Sequence, residues 1–281
     1  MSRAALAGLT ALALIAFAAN SVLTRAALVG GQIGAPEFSA IRLVSGAVTL
    51  ALLLALRGNW NPGPLPVRPA LALLGYTLAF TFAYLALDTG TGALILFGMV
   101  QMTMFAGAVL SGDRPPLLRW CGAVLGFAGL VVLFLPGAAA PDPLGFVLMA
   151  LAGLSWGIFS LLGRGVKDPL RVTGLSFCLA APVSVLAWAL APSGLPVSGA
   201  GLLLAILSGA AASGLGYALW YAILPALGAT RAAVMQLVAP LLAVAGGMLF
   251  LSEPLTLRFI IAALMVLGGV LLATLAGRRG A

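Results

Sequence analysis

Apolar residues run through the chain from end to end in stretches of about twenty, each broken by charges, prolines or glycines. A helix crossing a bilayer needs about 20 mostly apolar residues. Reading between the breaks predicts ten such helices, over approximately 5–28, 37–56, 69–87, 91–110, 117–135, 144–163, 171–190, 200–223, 229–250 and 257–276. The connectors "RGNWNPGPLPVRP", "GDRPP", "PGAAAPDP" and "APSGLPVSG" carry turn chemistry and are too short for a soluble domain. The expected fold is therefore an all-α integral membrane protein. "AFAAN" (16–20) has the small-x-small look of a cleavage site, but apolar residues continue to Val29. That exceeds a signal h-region of about 7–15 residues, so an uncleaved first span is expected.

Composition sharpens this picture. The chain is 63% hydrophobic and 7% charged, against about 25% charged in soluble domains. A net charge of +8 would suggest nucleic acid in a soluble protein. Here the charges lie between apolar runs and read as topology signals, with the lipid bilayer as the partner and no nucleic acid. With the N-terminus in the cytoplasm, eleven of the fourteen basic residues fall inside: Arg3, Arg57, Arg68, Arg114, Arg119, Arg164, Lys167, Arg171, Arg231, Arg278 and Arg279. Arg25 and Arg258 fall near the outer ends and Arg42 within the second span. That bias predicts both termini in the cytoplasm. There is no histidine, and Cys121 and Cys178 each lie inside an apolar run. No metal, cofactor or disulfide framework is expected.

Shifted by 139 residues, the sequence lands on itself. Ser21 meets Ser160, Arg25 meets Arg164, Thr91 meets Thr230, Pro115 meets Pro254 and Arg119 meets Arg258. Five spans per copy is an odd number, so the second copy enters the membrane from the opposite side. The expected organisation is a first repeat over 1–138 and an inverted one over 139–281, with a substrate site near the midplane between them.

These features resemble the EamA-type branch of the drug/metabolite transporter superfamily. The likeness rests on the five-plus-five spans, on "APEFSAIR" (35–42) opening the second, and on "SEP" (252–254) after the ninth. Within that branch the chain is most like the YddG-type bacterial exporters of aromatic amino acids. The resemblance implies a carrier in the bacterial inner membrane that moves amino acids outward through a central cavity. The first half has "GDRPP" where the second has the acid–proline pair, so the two hinges need not act alike.

Candidate site residues follow from polar groups placed against the apolar pattern. Pro240 cannot bond the carbonyl of Gln236, four residues earlier. In hydrocarbon such a break is tolerated only beside protein or a wet cavity. Both residues thus predict a bent ninth helix facing internal water, with Pro240 as the bend. Gln101 is the shifted counterpart of Pro240, near Gly98, and Met99 and Met235 flank the two glutamines as adaptable neighbours. Helical periodicity adds further faces: Tyr76, Phe80 and Tyr84 on the third span, and Phe17, Asn20 and Thr24 on the first. Trp156 and Ser160 share a face of the sixth, and Ser213, Tyr217, Trp220 and Tyr221 mark the eighth. Trp60, Trp120 and Trp188, near span ends, fit an interfacial belt instead. A pocket of aromatics, amides and methionines suits a small amphipathic solute and suits a phosphate poorly.

Arg42 lies about one and a half turns into the second span, where a charge needs a partner. A structural ion pair is expected, with Glu37 first and Asp88 or Glu253 next; capture of a substrate carboxylate is the alternative. No Asp, Glu or His lies mid-span, so transport without obligatory proton exchange is expected. Paired carboxylates, nucleophile systems and metal clusters are all missing from the sequence, which argues against an enzyme. Channels are built on charge or carbonyl rings, which the sequence does not suggest. The alternative within carriers is efflux of cationic or amphipathic drugs. Nothing in the sequence calls for a second subunit, and a monomer is expected.

Overall fold

A computed structural model of the chain describes residues 2–58, 63–137 and 140–276. Trp60, Arg278, Arg279 and the 138/139 repeat boundary lie outside the described residues. All regular structure among the described residues is helical. The elements are α1 (Arg3–Val29), α2 (Ala35–Leu56), α3 (Val67–Ala83), α4 (Thr89–Leu110), α5 (Leu117–Phe134), α6 (Pro143–Leu162) and α7 (Pro169–Leu190). The eighth span is α8 (Gly199–Ile206), a π-helical stretch (Leu207–Leu215) and α9 (Gly216–Leu227). The ninth is α10 (Ala229–Gln236) followed by α11 (Val238–Leu251), and the tenth is α12 (Leu257–Ala276).

Local sequence explains most ends. The Ser2, Asp142, Asp168 and Ser198 side chains accept the backbone N–H three residues on, and Pro143 and Pro169 open α6 and α7 where no N–H is needed. Inside the helices, Thr24, Thr77, Thr81, Thr103 and Ser160 donate to the carbonyl four residues earlier. Such back-bonding lets a hydroxyl sit in an apolar setting.

The third span departs from expectation. It is helical only to Ala83 rather than 87, 17 residues in all, or about 25 Å at the helical rise. Just past its end, Arg25 Nη1 donates to the Tyr84 carbonyl at 2.9 Å and the Leu85 carbonyl at 3.2 Å, satisfying groups that have no partner within the helix.

Among the described residues, nine helices are long and apolar enough to cross a membrane, and α3 is a shorter apolar helix. Leu12, Ile15, Leu52, Leu71, Val124 and Leu264 are each more than half exposed on the outside of the bundle. An apolar exterior of that extent belongs against acyl chains, so the chain is a multi-pass membrane protein. Inside, α2 packs on α7 and α5 on α12; α3 and α4 both pack on α6, while α1 packs on the eighth and ninth spans. The α5–α12 contact is backbone against backbone. A Cβ at Gly122 would collide with the Gly269 carbonyl, and one at Gly269 with the backbone of Gly122 and Gly126. Small residues four apart permit this close approach in membranes.

The ninth span breaks as Pro240 predicts, although the break sits at Leu237. That residue closes α10, its N–H turning back to the Val234 carbonyl at 3.1 Å. Pro240 itself is buried in the first turn of α11.

Candidate functional site

A cavity of about 800 Å³ enters the bundle from one end and stops near its middle. Its mouth is formed where α4, α6, α9 and α12 end and α5, α7 and α10 begin, with Arg119 and Arg164 on its wall. Its inner end is aromatic. Trp156 and Tyr217 stack with ring centroids 5.3 Å apart, and Phe17 meets both Tyr217 (5.7 Å) and Trp220 (5.6 Å). Trp156 and Tyr217 are fixed from behind by Tyr76 (4.7 Å from Trp156) and Phe177 (6.1 Å from Tyr217). Two amides complete the wall: Gln101 from α4 and Gln236 at the break between α10 and α11. Both are half-buried, and neither amide has a hydrogen-bond partner among the described residues. No carboxylate lines the cavity.

Of the candidates named from sequence, Gln101, Trp156, Ser160, Tyr217, Trp220 and Gln236 line this cavity together. The Ser160 hydroxyl donates to the Trp156 carbonyl at 2.8 Å, so it faces the cavity mainly as an acceptor. Phe17 and Tyr221, from the faces read on the first and eighth spans, line it as well, and the remaining candidates do not. Asn20 is buried against the π stretch, where its Oδ1 accepts from Ser208 (2.8 Å) and Ser213 (3.3 Å). Phe80 lies against Arg42, and the Tyr84 hydroxyl donates to the Thr89 carbonyl at 3.2 Å. Met99 packs on Gly153, Gly98 on Leu130 and Val266, and Met235 faces outward. Phe159, Thr173, Arg119 and Arg164 line the cavity without having been singled out as site residues. The two arginines carried a signal, as members of the pairs related by the 139-residue shift.

The expected Arg42–Glu37 ion pair is absent. Five residues along one helix turn two side chains well away from each other, so the pair could not meet on α2. Glu37 instead accepts from the Ser193 N–H at 3.0 Å. Arg42 is 1% exposed; its Nη2 donates to the Tyr76 hydroxyl at 3.0 Å, and its guanidinium lies over the Phe80 and Tyr76 rings at 4.8 and 5.5 Å. Asp88 and Glu253 go to Arg25 rather than Arg42, each 3.6 Å from it.

That second pairing closes the opposite end of the bundle. Glu253 accepts from the Thr89 N–H with both oxygens (3.0 and 2.9 Å) and from the Thr89 hydroxyl (3.0 Å). Ser252, with φ +55°, turns the chain back so that Glu253 meets the start of α4. Thr89 begins α4, whereas Ala108, near its other end, borders the cavity mouth. A smaller recess of about 320 Å³, walled by Asp88, Asp142 and Glu253, indents the closed end.

Residues 143–275 match the model of the EamA-like transporter family. An uncharacterized protein of Pseudomonas aeruginosa is 48% identical over 280 residues, which cover 97% of this chain and 95% of that one. The uncharacterized inner membrane transporter YedA of Escherichia coli is 28% identical over 138 residues, 46% of this chain and 44% of that one. A solved crystal structure superposes with a TM-score of 0.69 at 23% identity, over 99% of this chain and 100% of the other. That likeness speaks to the fold.

Proposed function

This chain belongs to the EamA-like transporter family, and from that premise we propose that it exports small amphipathic solutes, chiefly amino acids including aromatic ones. The observation that carries this reading is the cavity wall. Stacked aromatics offer flat apolar area, two unengaged amides offer both donors and acceptors, and no carboxylate is present to favour a cation. Its volume of about 800 Å³ falls within the usual range for small-molecule sites. The absence of a carboxylate on the wall weighs against the alternative of cationic drug efflux.

The membrane in question is the bacterial inner membrane, as it is for the inner membrane transporter YedA. The basic residues at the cavity mouth support, by the positive-inside rule, an open end that faces the cytoplasm with both termini on that side. Transport then proceeds by alternating access between two inverted repeats, 1–138 and 139–281. The packing supports the duplication. The contacts of α3 and α4 with α6 correspond to those that the eighth and ninth spans make with α1, while α2–α7 and α5–α12 join corresponding spans. The acids that are described all sit at helix ends or in turns, in keeping with transport that follows the solute's own gradient.

Reconstitution into liposomes tests the whole reading. Phenylalanine and tryptophan should compete for uptake better than amines or sugars of similar size. Amines competing equally would favour the drug-efflux alternative, and accumulation driven by a pH step alone would contradict the uncoupled mechanism.

A further inference from the structure

One buried charge has no counter-ion. Arg42 is 1% exposed and sits about 10 Å into α2 at the helical rise. Its Nε and Nη1 have no hydrogen-bond partner, and no acid lies within ion-pair distance among the described residues. One turn earlier on α2, the Ser39 hydroxyl oxygen is likewise buried without a partner. A guanidinium in a membrane interior is expensive, and the faces of Tyr76 and Phe80 offset only part of that cost. Rigid backbone also closes in on this segment: a Cβ at Gly209 of the π stretch would collide with the Arg42 carbonyl and the Ser45 side chain. The Arg42 side chain does not snorkel to water in this structure, being 1% exposed.

The arginine stands one ring behind the cavity. Its Nη2 holds the Tyr76 hydroxyl, Tyr76 packs on Trp156, and Trp156 lines the cavity. We infer that Arg42 is the subsite for the substrate's carboxylate, reached when Tyr76 and Trp156 part. The unpartnered Nε and Nη1 supply the charge-assisted donors that a carboxylate takes, and the Trp156–Tyr217 stack holds the apolar body. This rests on the amino-acid reading and narrows it: the solute is recognised by an anionic head on an aromatic or apolar body. Solutes lacking the anion leave the guanidinium without a counter-ion and are discriminated against.

The test uses the purified full chain in liposomes with four probes. Phenylalanine and phenyllactate carry the carboxylate; phenylalaninamide and phenethylamine lack it. The wild type should favour the two carboxylates by about tenfold or more, as expected for a lost charged hydrogen bond. Arg42→Gln should erase that preference while leaving competition by the two non-carboxylates within about twofold. If Arg42→Gln does not purify, Arg42→Lys serves. It keeps the charge but loses the planar fork, and the preference should fall at least threefold. Equal losses for all four probes, or a preference that survives the substitution, overturn the assignment. A wild type that moves phenyllactate but not phenylalanine refutes amino-acid transport and leaves the Arg42 subsite standing. A wild type that takes up neither carboxylate overturns both.

Discussion

The two ends of the bundle are built on opposite principles. At the open end, Arg119 and Arg164 line the mouth with like charge and no acid faces them across the cavity. At the closed end, Arg25, Asp88 and Glu253 draw α1, α4 and α11 together, and Thr89 gives Glu253 three hydrogen bonds. Like charges border the open end, and a paired cluster ties the other. The comparison teaches where to look for the contacts that hold this conformation: the charged cluster joins three spans at one end, and no such cluster joins them across the mouth among the described residues.

Breaking the closed end should have the largest effect. Glu253→Ala removes the acceptor for Thr89 and one partner of Arg25. At roughly 2–3 kcal/mol for lost charged hydrogen bonds, the balance between the two openings should shift about 30- to 150-fold. The readout is maleimide labelling of Leu87→Cys, in a background without Cys121 and Cys178. Labelling should accelerate from the side opposite the cavity mouth, and an unchanged rate would show that the cluster is not what closes that end.

Next come the substitutions at the inner end of the open cavity. Trp156→Ala deletes the ring that stacks on Tyr217, and an aromatic pair worth about 0.5–1.5 kcal/mol beyond area burial, together with the lost apolar area, predicts a loss of transport of up to about tenfold. Gln236→Ala removes one of two amides and should cost about three- to tenfold in half-saturating concentration, through one hydrogen bond of about 1 kcal/mol. Both proteins should still insert and purify; normal rates in both would remove these residues from the site.

The smallest effect should come from the mouth. Arg119→Ala with Arg164→Ala weakens only the local field, so uptake of an anionic or zwitterionic solute should fall about two- to threefold at low ionic strength. The difference should vanish in roughly 0.5 M salt, where exposed charges are screened within a few ångströms. A loss that persists in high salt would mean direct contact with the solute rather than steering.

Much of this architecture was legible in the residues. Ten spans follow from runs of apolar side chains, because hydrocarbon leaves backbone groups no option but to pair within a helix. The broken ninth span was legible from Pro240, and its displacement to Leu237 follows from where the lost hydrogen bond and the ring clash act, in the preceding turn. The long-range pairings were not legible. Arg25 meets Glu253 across the length of the chain, and that same arginine binds the Tyr84 and Leu85 carbonyls beyond the early end of α3. Nothing near Tyr84 announces it. Periodicity placed Asn20, Phe80 and Tyr84 on common faces correctly, yet a helical face does not reveal whether it meets a neighbouring helix or a cavity. All three meet protein. The π stretch over "LSGAAASGL" had no local signal either; it forms where small residues let α2 and Asn20 approach.

The glycine seam between α5 and α12 has a consequence for how relatives diverge. At Gly122 and Gly269 no side chain fits, whatever solute is carried, so those positions are held by geometry rather than by cargo. Both glycines also border the cavity, so this stretch of wall cannot be remodelled by adding side chains. Among descendants of this protein, selectivity will be written in the wall positions away from the seam, such as Trp156, Tyr217 and Gln236.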